Sequence, residues 1–156
     1  MSTTDELKTK FWKALADSPF LFLQLDSDPD TAVPMTAQLD EDANSAIWFF
    51  TSKSHTLAAG GPATGTFSGD DNQMFARIKG NLVVETSRER LEKQWSKIIE
   101  AWFPGGKDDP DLLMLRMDLG SAEIWNSDLG LIDNAKMLMG FDVRDEARKE
   151  HVEAAL

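Results

Sequence analysis

The sequence predicts a mainly β domain of six short antiparallel strands at Greek-key-like spacing, closed into a small barrel with few helices. Three observations predict it. Between Phe20 and Asn126, runs rich in aromatic and β-branched residues recur, separated by clusters of Gly, Pro, Asp and Asn. Only two segments before Leu131 show a long helical period. The 156 residues amount to one domain, enough to bury a sizeable core. A single domain over 1–156 is expected, with the barrel core at about 18–127 and a tail at about 128–156.

Taken in order, TDELKTKFWKALAD reads as an amphipathic helix with Leu7, Phe11, Ala14 and Leu15 on one face, stopped by Ser18-Pro19. FLFLQL, Phe20 to Leu25, reads as a buried first strand, and DSDPD as its turn. AVPMTAQL is the second strand, where Pro34 cannot donate to a ladder and marks an edge or a bulge. After the turn DEDANSA, IWFFT, Ile47 to Thr51, is the third. SKSHTLAAGG then makes a loop and one helical turn closed by Gly60-Gly61.

PATGTFSG and QMFARIKGNLVVE are the fourth and fifth strands, joined through Asp70-Asp71-Asn72. In the fifth, Met74, Ala76, Ile78, Leu82 and Val84 point one way and Arg77, Lys79 and Asn81 the other, with Gly80 placed for a bulge or a close approach. Thr86-Ser87-Arg88-Glu89 has the form of a capping box with Thr86 as the cap. From there Leu91, Trp95, Ile98, Ile99 and Trp102 form one apolar stripe. Pro104 ends that helix, Gly105 and Gly106 reverse the chain, and Asp108 to Asp111 cap and solvate the turn. Trp102 ends the stripe, where a core role and a ligand-facing role are both open.

LLMLRM, Leu112 to Met117, begins the sixth strand, with SAEIWN as a continuation past Gly120. In the tail, LIDNAKMLMG reads as a helix. DVRDEARKEHVEAAL is either a charged helix or an arm seeking a partner.

Composition removes several classes of function. With no cysteine there is no disulfide, thiol nucleophile or Cys-based metal site. His55 and His151 are far apart and lack carboxylates at ligand spacing, so no metal is expected. GxSxG, a Walker loop and GxGxxG are all absent. The net charge of -11 disfavours nucleic acid and anionic membranes as partners. Neither a signal-peptide pattern nor a membrane-length apolar run occurs, and a soluble, cytoplasmic protein is expected. The acidic pairs Asp40-Glu41 and Asp108-Asp109 read as solvated turn residues.

One polar constellation remains. FFTSKSHT gathers Thr51, Ser52, Lys53, Ser54 and His55 at a strand end, just ahead of a helical turn. Hydroxyls, an ammonium and free backbone N–H groups suit a phosphomonoester; an ordinary Ser/Thr-rich helix cap accounts for the same residues.

PMTAQ at 34–38, IWFFTSKS at 47–54, the strand leading to Gly80, and AWFPGGKDDPDLLMLRM at 101–117 with AEIW at 122–125 carry a resemblance. Their order and spacing from Phe11 to Trp125 resemble the FMN-binding split-barrel proteins related to pyridoxamine 5′-phosphate oxidase, in their general stress protein branch. The resemblance implies a homodimer of six-stranded split barrels with FMN, in preference to FAD, in a cleft between subunits. It implies that Met35, Thr36 and Ala37 lie along the isoalloxazine and that Phe50 and Thr51 reach the ring or ribityl chain. Ser52, Lys53 and His55 take the phosphate, and Trp102 and Phe103 cover the cleft.

Val33 stands where many relatives carry arginine, which moves the cation load to Lys53 with Arg77 or Lys79 in reserve. No Arg/His set for a second, substrate phosphate is present, so vitamin B6 oxidation itself is not expected. A flavin-dependent oxidoreductase acting on a small molecule or a nicotinamide nucleotide, a non-catalytic flavin-binding or sensing protein, and a barrel that serves only for interaction all fit the sequence. Catalytic residues are not assigned. Independently of the resemblance, Trp48, Phe49, Trp102 and Trp125 are many aromatics for one small core, which points to a dimer.

Overall fold

The computed structural model describes residues 4–41, 43–70, 73–128 and 131–139. Helix α1 (Thr4–Asp17) ends just before Ser18-Pro19 and buries Leu7, Phe11 and Leu15. Among the described residues eight antiparallel strands follow: β1 (Phe20–Leu25), β2 (Asp28–Thr36), β3 (Gln38–Asp40), β4 (Ala43–Ser52), β5 (Gly61–Ser68), β6 (Met74–Val84), β7 (Leu112–Asp128) and β8 (Leu131–Leu138). Their order is β2-β1-β5-β6-β7-β4-β3, with β8 also paired to β7. Among the described residues, no helix is long and apolar enough to cross a membrane.

The two ends of that order are consecutive in sequence. The chain leaves the edge strand β2 at Thr36, passes through buried Ala37 and enters the opposite edge strand β3 at Gln38. One residue thus joins both edges, and the curled sheet becomes a split barrel. The amide of Ala37 donates to the Pro19 carbonyl at 2.7 Å, tying the seam to the start of β1.

Inside lies one core. Leu23, Ile47, Phe49, Ile78, Leu82, Leu115 and Ile124 are sealed from solvent, each stabilising the fold by about 1.5–3 kcal/mol. Phe11 of α1 plugs the barrel against the edge of Phe67, ring centroids 6.0 Å apart. Outside β4 a smaller cluster of Ala46, Trp48 and Met114 is covered by Leu91. Trp48 also donates through Nε1 to Glu85 at 3.0 Å and lies under the Arg90 guanidinium, 4.1 Å from the ring centre.

Several expectations are corrected. The six strands are eight, because Ala37 divides the second and because 131–138, expected as a helix, extends the sheet along β7 from Ser121↔Leu138 to Asp128↔Leu131. An available sheet edge overrode local propensity there. β1 is not buried on both faces: Leu21, Leu23 and Leu25 point in, while Phe20 and Phe22 are exposed. The DSDPD turn shortens to Asp26-Ser27, with β2 beginning at Asp28. Thr31 makes this possible: its Oγ1 accepts from the Leu25 amide at 2.8 Å and donates to the Asp28 carbonyl at 2.7 Å, where the β1–β2 register shifts. Trp48 and Phe49 fill the core of the single chain, whereas Trp102 does not.

On β6 the inward row ends at Leu82, since Val84 is exposed. The bulge expected at Gly80 is present, its register step falling between Lys79 and Gly80. A Cβ on Gly80 would clash with the Asp118 carbonyl oxygen. The helix cap is Ser87, not Thr86: Ser87 Oγ accepts from the Arg90 amide at 3.1 Å. The chain is still held to the sheet at Glu85, whose amide donates to the Met114 carbonyl. The long stripe is two helices, α2 (Arg88–Gln94) and α3 (Lys97–Trp102), parted by extended Trp95 and restarted by the Ser96 cap. The charged segment 142–156 lies outside the described residues.

Candidate functional site

The barrel seam opens the larger cavity, about 630 Å³, within the range of small-molecule and cofactor sites. One wall is the passage between the two edge strands, Met35, Thr36, Ala37 and Gln38. The facing wall is the end of β4, where Phe50, Thr51 and Ser52 run out of the sheet. Helix α3 roofs the space with Ile98, Ile99 and Trp102, and Phe103 follows it. Strand alternation explains the division on β4: Phe50 and Ser52 lie on the face opposite the barrel core and meet the helices, Phe50 touching the edge of Trp95 at 6.0 Å.

The two aromatics at the end of α3 differ. Trp102 is 78% exposed on the rim, whereas Phe103 is 9% exposed and largely enclosed. Both nevertheless line the cavity. Ser96, whose hydroxyl accepts from the Ile99 amide, holds the roof helix in register over it.

The polar end is built from β4, the loop after it and the turn before β7. Ser52 Oγ donates to Asp111 Oδ1 at 2.8 Å and lies 2.8 Å from Ser54 Oγ. His55 stands at the start of a 3₁₀ turn, Thr56–Ala59, and its Nδ1 accepts from the Leu57 amide at 3.1 Å. That bond engages Nδ1 and leaves Nε2 as the other hydrogen-bonding atom of the ring. Gly60, at φ 67°, closes the turn.

The geometry thus brings together nine of the residues singled out in the sequence: Met35, Thr36, Ala37, Phe50, Thr51, Ser52, His55, Trp102 and Phe103. Lys53 is not among them. It lines a second cavity of about 400 Å³ on the other side of the β4 end. The reserve cations stand elsewhere too, Arg77 paired with Glu123 at 2.6 Å and Lys79 bonded to Thr64 Oγ1 at 3.2 Å. Val33 packs against the barrel core. Among the described residues no Lys or Arg lines the larger cavity, and Asp111 is the carboxylate there.

Sequence reasoning assigned Asp111 to the turn alone and overlooked Gln38, Pro19 and Ser96. Adjacency to PMTA was the available signal for Gln38. Ser96 carried a signal as a serine inside a helical stripe, a common sign of a restart.

Two carboxylates near the cavities are held in their ionised form. Burial pushes Glu85 up, but hydrogen bonds from Trp48 and Arg116 outweigh it and leave its pKa below the ordinary range. Asp109 is lowered by the amides of Asp111 and Gly105, which fix the WFPGG turn. Arg116 is raised by its bond to Asp118 at 2.7 Å, with burial opposing.

The family model described as "Pyridoxamine 5'-phosphate oxidase like" matches residues 6–143, most of the chain. The chain belongs to the pyridoxamine 5′-phosphate oxidase-like family. Within that family it is similar to solved general stress proteins. A general stress FMN/FAD binding protein of Xanthomonas citri is 41% identical, with TM-score 0.75, covering 88% of this chain and 100% of that one. A protein assigned to the general stress family in Xanthomonas campestris pv. campestris is also 41% identical, with TM-score 0.76 over 90% of this chain and 100% of that one. General Stress Protein 26 of Bacillus anthracis, at 12% identity and TM-score 0.67, covering 85% of this chain and 98% of that one, shares the fold. No curated protein is significantly similar in sequence.

Proposed function

We propose that this family member is a general stress-type protein that binds a flavin in the larger cavity, with FMN preferred to FAD. The observation that carries the reading is the convergence of nine expected residues on one 630 Å³ space at the barrel seam. The residues present suit the group. Met35, Phe50, Trp102 and Phe103 offer apolar surface to an aromatic ring system, and Thr51, Ser52 and His55 offer hydroxyl and imidazole groups to a ribityl chain and its terminus.

A bound flavin would supply redox chemistry at its ring. The chain's part is to bind and orient it and to keep water from one side. Among the described residues lining the cavity, the ionisable side chains His55 and Asp111 are engaged through Nδ1 and Oδ1 in a helix cap and a turn. An oxidoreductase passing electrons between the flavin and a small molecule or nicotinamide nucleotide is the activity this arrangement fits. Non-catalytic flavin binding is the second reading, favoured by the structural engagement of His55 Nδ1 and Asp111 Oδ1.

A homodimer is part of the proposal, because the roof of the cavity is unfinished. Ile98 is 76% exposed and Trp102 slightly more, an apolar rim of the kind a second subunit covers. Absorption spectra of the purified protein, before and after FMN is added and free flavin removed, test binding. Anaerobic addition of NADH or NADPH tests turnover. A yellow protein bleached by either nucleotide supports the oxidoreductase, and a yellow but inert one supports binding alone. A protein that takes up no flavin at micromolar concentration overturns both.

A further inference from the structure

The helices around the larger cavity are fastened in two different ways. Helix α1 is held by three buried apolar side chains, Leu7, Phe11 and Leu15. Helix α2 buries only Gln94, and α3 only Ile99, with Phe103 just past its end. In place of an apolar face, α2 meets the sheet through charge. Arg90 Nη1 donates to Asp40 Oδ2 at 2.6 Å, and Lys93 Nζ donates to the same oxygen at 2.8 Å. The Asp40 side chain is 5% exposed, so these cations replace the water it has lost. Trp48, oriented by its bond to Glu85, lies under the Arg90 guanidinium, and half-buried Leu91 packs beside it. The pair of Arg88 with Asp108 is exposed and adds little.

Both ends of this stretch are fixed. At one, the Glu85 amide donates to the Met114 carbonyl and its carboxylate accepts from Arg116. At the other, the Gly105 amide donates to Asp109 Oδ2 at 2.9 Å. Between them the chain breaks once, at extended Trp95, whose ring meets the edge of Phe50 in the cavity wall. Asp40 itself ends β3, two residues beyond Gln38, which lines the same cavity. The bonds from Arg90 and Lys93 thus tie the roof to one wall. A segment with anchored ends and few buried apolar contacts opens at a lower free energy than the core beneath it.

We infer that residues 86–104 form a strap over the larger cavity, latched by Arg90 and Lys93 on Asp40, and that unlatching is the step that frees a ligand from the cavity. The inference rests on the flavin reading for the identity of that ligand alone. Arg90 and Asp40 are positioning residues: they act through the roof and not by touching what lies under it.

Amide hydrogen exchange on flavin-free protein tests the latch. In Arg90→Gln, exchange over 88–103 should rise roughly tenfold or more, the effect of losing one hydrogen bond to a charged group. Asp40→Asn, which removes both ion pairs, should act in the same way, and Arg90→Lys, which keeps the charge, should restore most of the protection. The strands around the sealed residues Ile78, Leu82, Leu115 and Met117 should exchange as in the parent. In protein loaded with FMN, release followed by flavin fluorescence on dilution should quicken by the same factor as the exchange, because both pass through the open strap. Exchange over 88–103 that matches the parent, or that rises equally in the core strands, overturns the inference, and so does faster exchange with unchanged FMN release. A parent that takes up no FMN overturns the flavin reading instead, and the exchange data then decide the strap by themselves.

Discussion

Ser52 and Asp111, 59 residues apart, are joined by a 2.8 Å hydrogen bond from the serine hydroxyl to the aspartate Oδ1, at the polar end of the larger cavity. The pair knots the end of β4 to the turn that opens β7. It also places a carboxylate where a flavin phosphate is proposed to approach.

That proximity predicts a gain from Asp111→Asn. Removing the negative charge should strengthen FMN binding by about 1 kcal/mol, the scale for exposed charges a few ångströms apart in water. Riboflavin, with no phosphate, should change little. Calorimetry with both ligands checks it, and an equal change for the two would place the phosphate elsewhere.

Trp102 and Phe103 should separate cleanly. Trp102→Leu, at an exposed rim position, should leave the apo melting temperature in place and lower FMN affinity by about 0.5–1.5 kcal/mol, the worth of an aromatic contact. Phe103→Leu removes enclosed apolar volume and should destabilise the apo protein by about 1 kcal/mol. Thermal melts and FMN titrations of both variants distinguish the two roles.

Gly80→Ala should be costly, because the added methyl meets the Asp118 carbonyl oxygen, a backbone atom that cannot swing aside. A loss of about 1–3 kcal/mol is expected from overpacking of this kind. Urea unfolding measures it; a variant within 0.5 kcal/mol of the parent, roughly the scatter for surface changes, would show that the β6–β7 bulge relaxes freely.

Glu85 gives a pH dependence with a defined sign. Its folded pKa lies below the unfolded value, so its contribution is complete above about pH 4.3, the ordinary glutamate value, and fades as the pH falls through the lower folded value. Glu85→Gln should therefore cost about 1 kcal/mol at pH 7, with the gap to the parent closing toward pH 3. Denaturant midpoints across pH 3–7 provide the check.

Phe20 and Phe22 are 60% and 55% exposed side by side on β1, and Phe75 of β6 is open as well. If this sheet face meets a second copy, light scattering should return twice 17.4 kDa for the parent and a single chain for the double variant Phe20→Lys, Phe22→Lys. A parent that scatters as a monomer at micromolar concentration ends the dimer proposal.

Much of the fold was legible because the sequence pattern and the packing agree. Pro19 ends α1 where it should, Gly80 marks its bulge, and Gly60 closes its turn. What misled were places where a contact distant in sequence decided. Thr31 staples a strand through residues that look like a turn, and Ala37 breaks a continuous strand because the barrel must cross its own seam. Residues 131–138 become a strand only because β7 extends far enough to receive them. At the candidate site the residue types could be read from sequence but their sides could not. Ser52 and Lys53 are neighbours whose side chains enter different cavities, and that division depends on the end of β4 and on Asp111.

The placement of β2 at one end of the strand order has a further consequence, for coexistence with other copies of the chain rather than for ligands. An edge strand of nine residues is a template on which another molecule can extend the sheet. Pro29 and Pro34 both lie within it, and neither carries an amide hydrogen. Two residues of β2 thus have no donor to offer an intruding strand, a composition that discourages edge-to-edge assembly in a protein whose β1 already displays two phenylalanines to solvent.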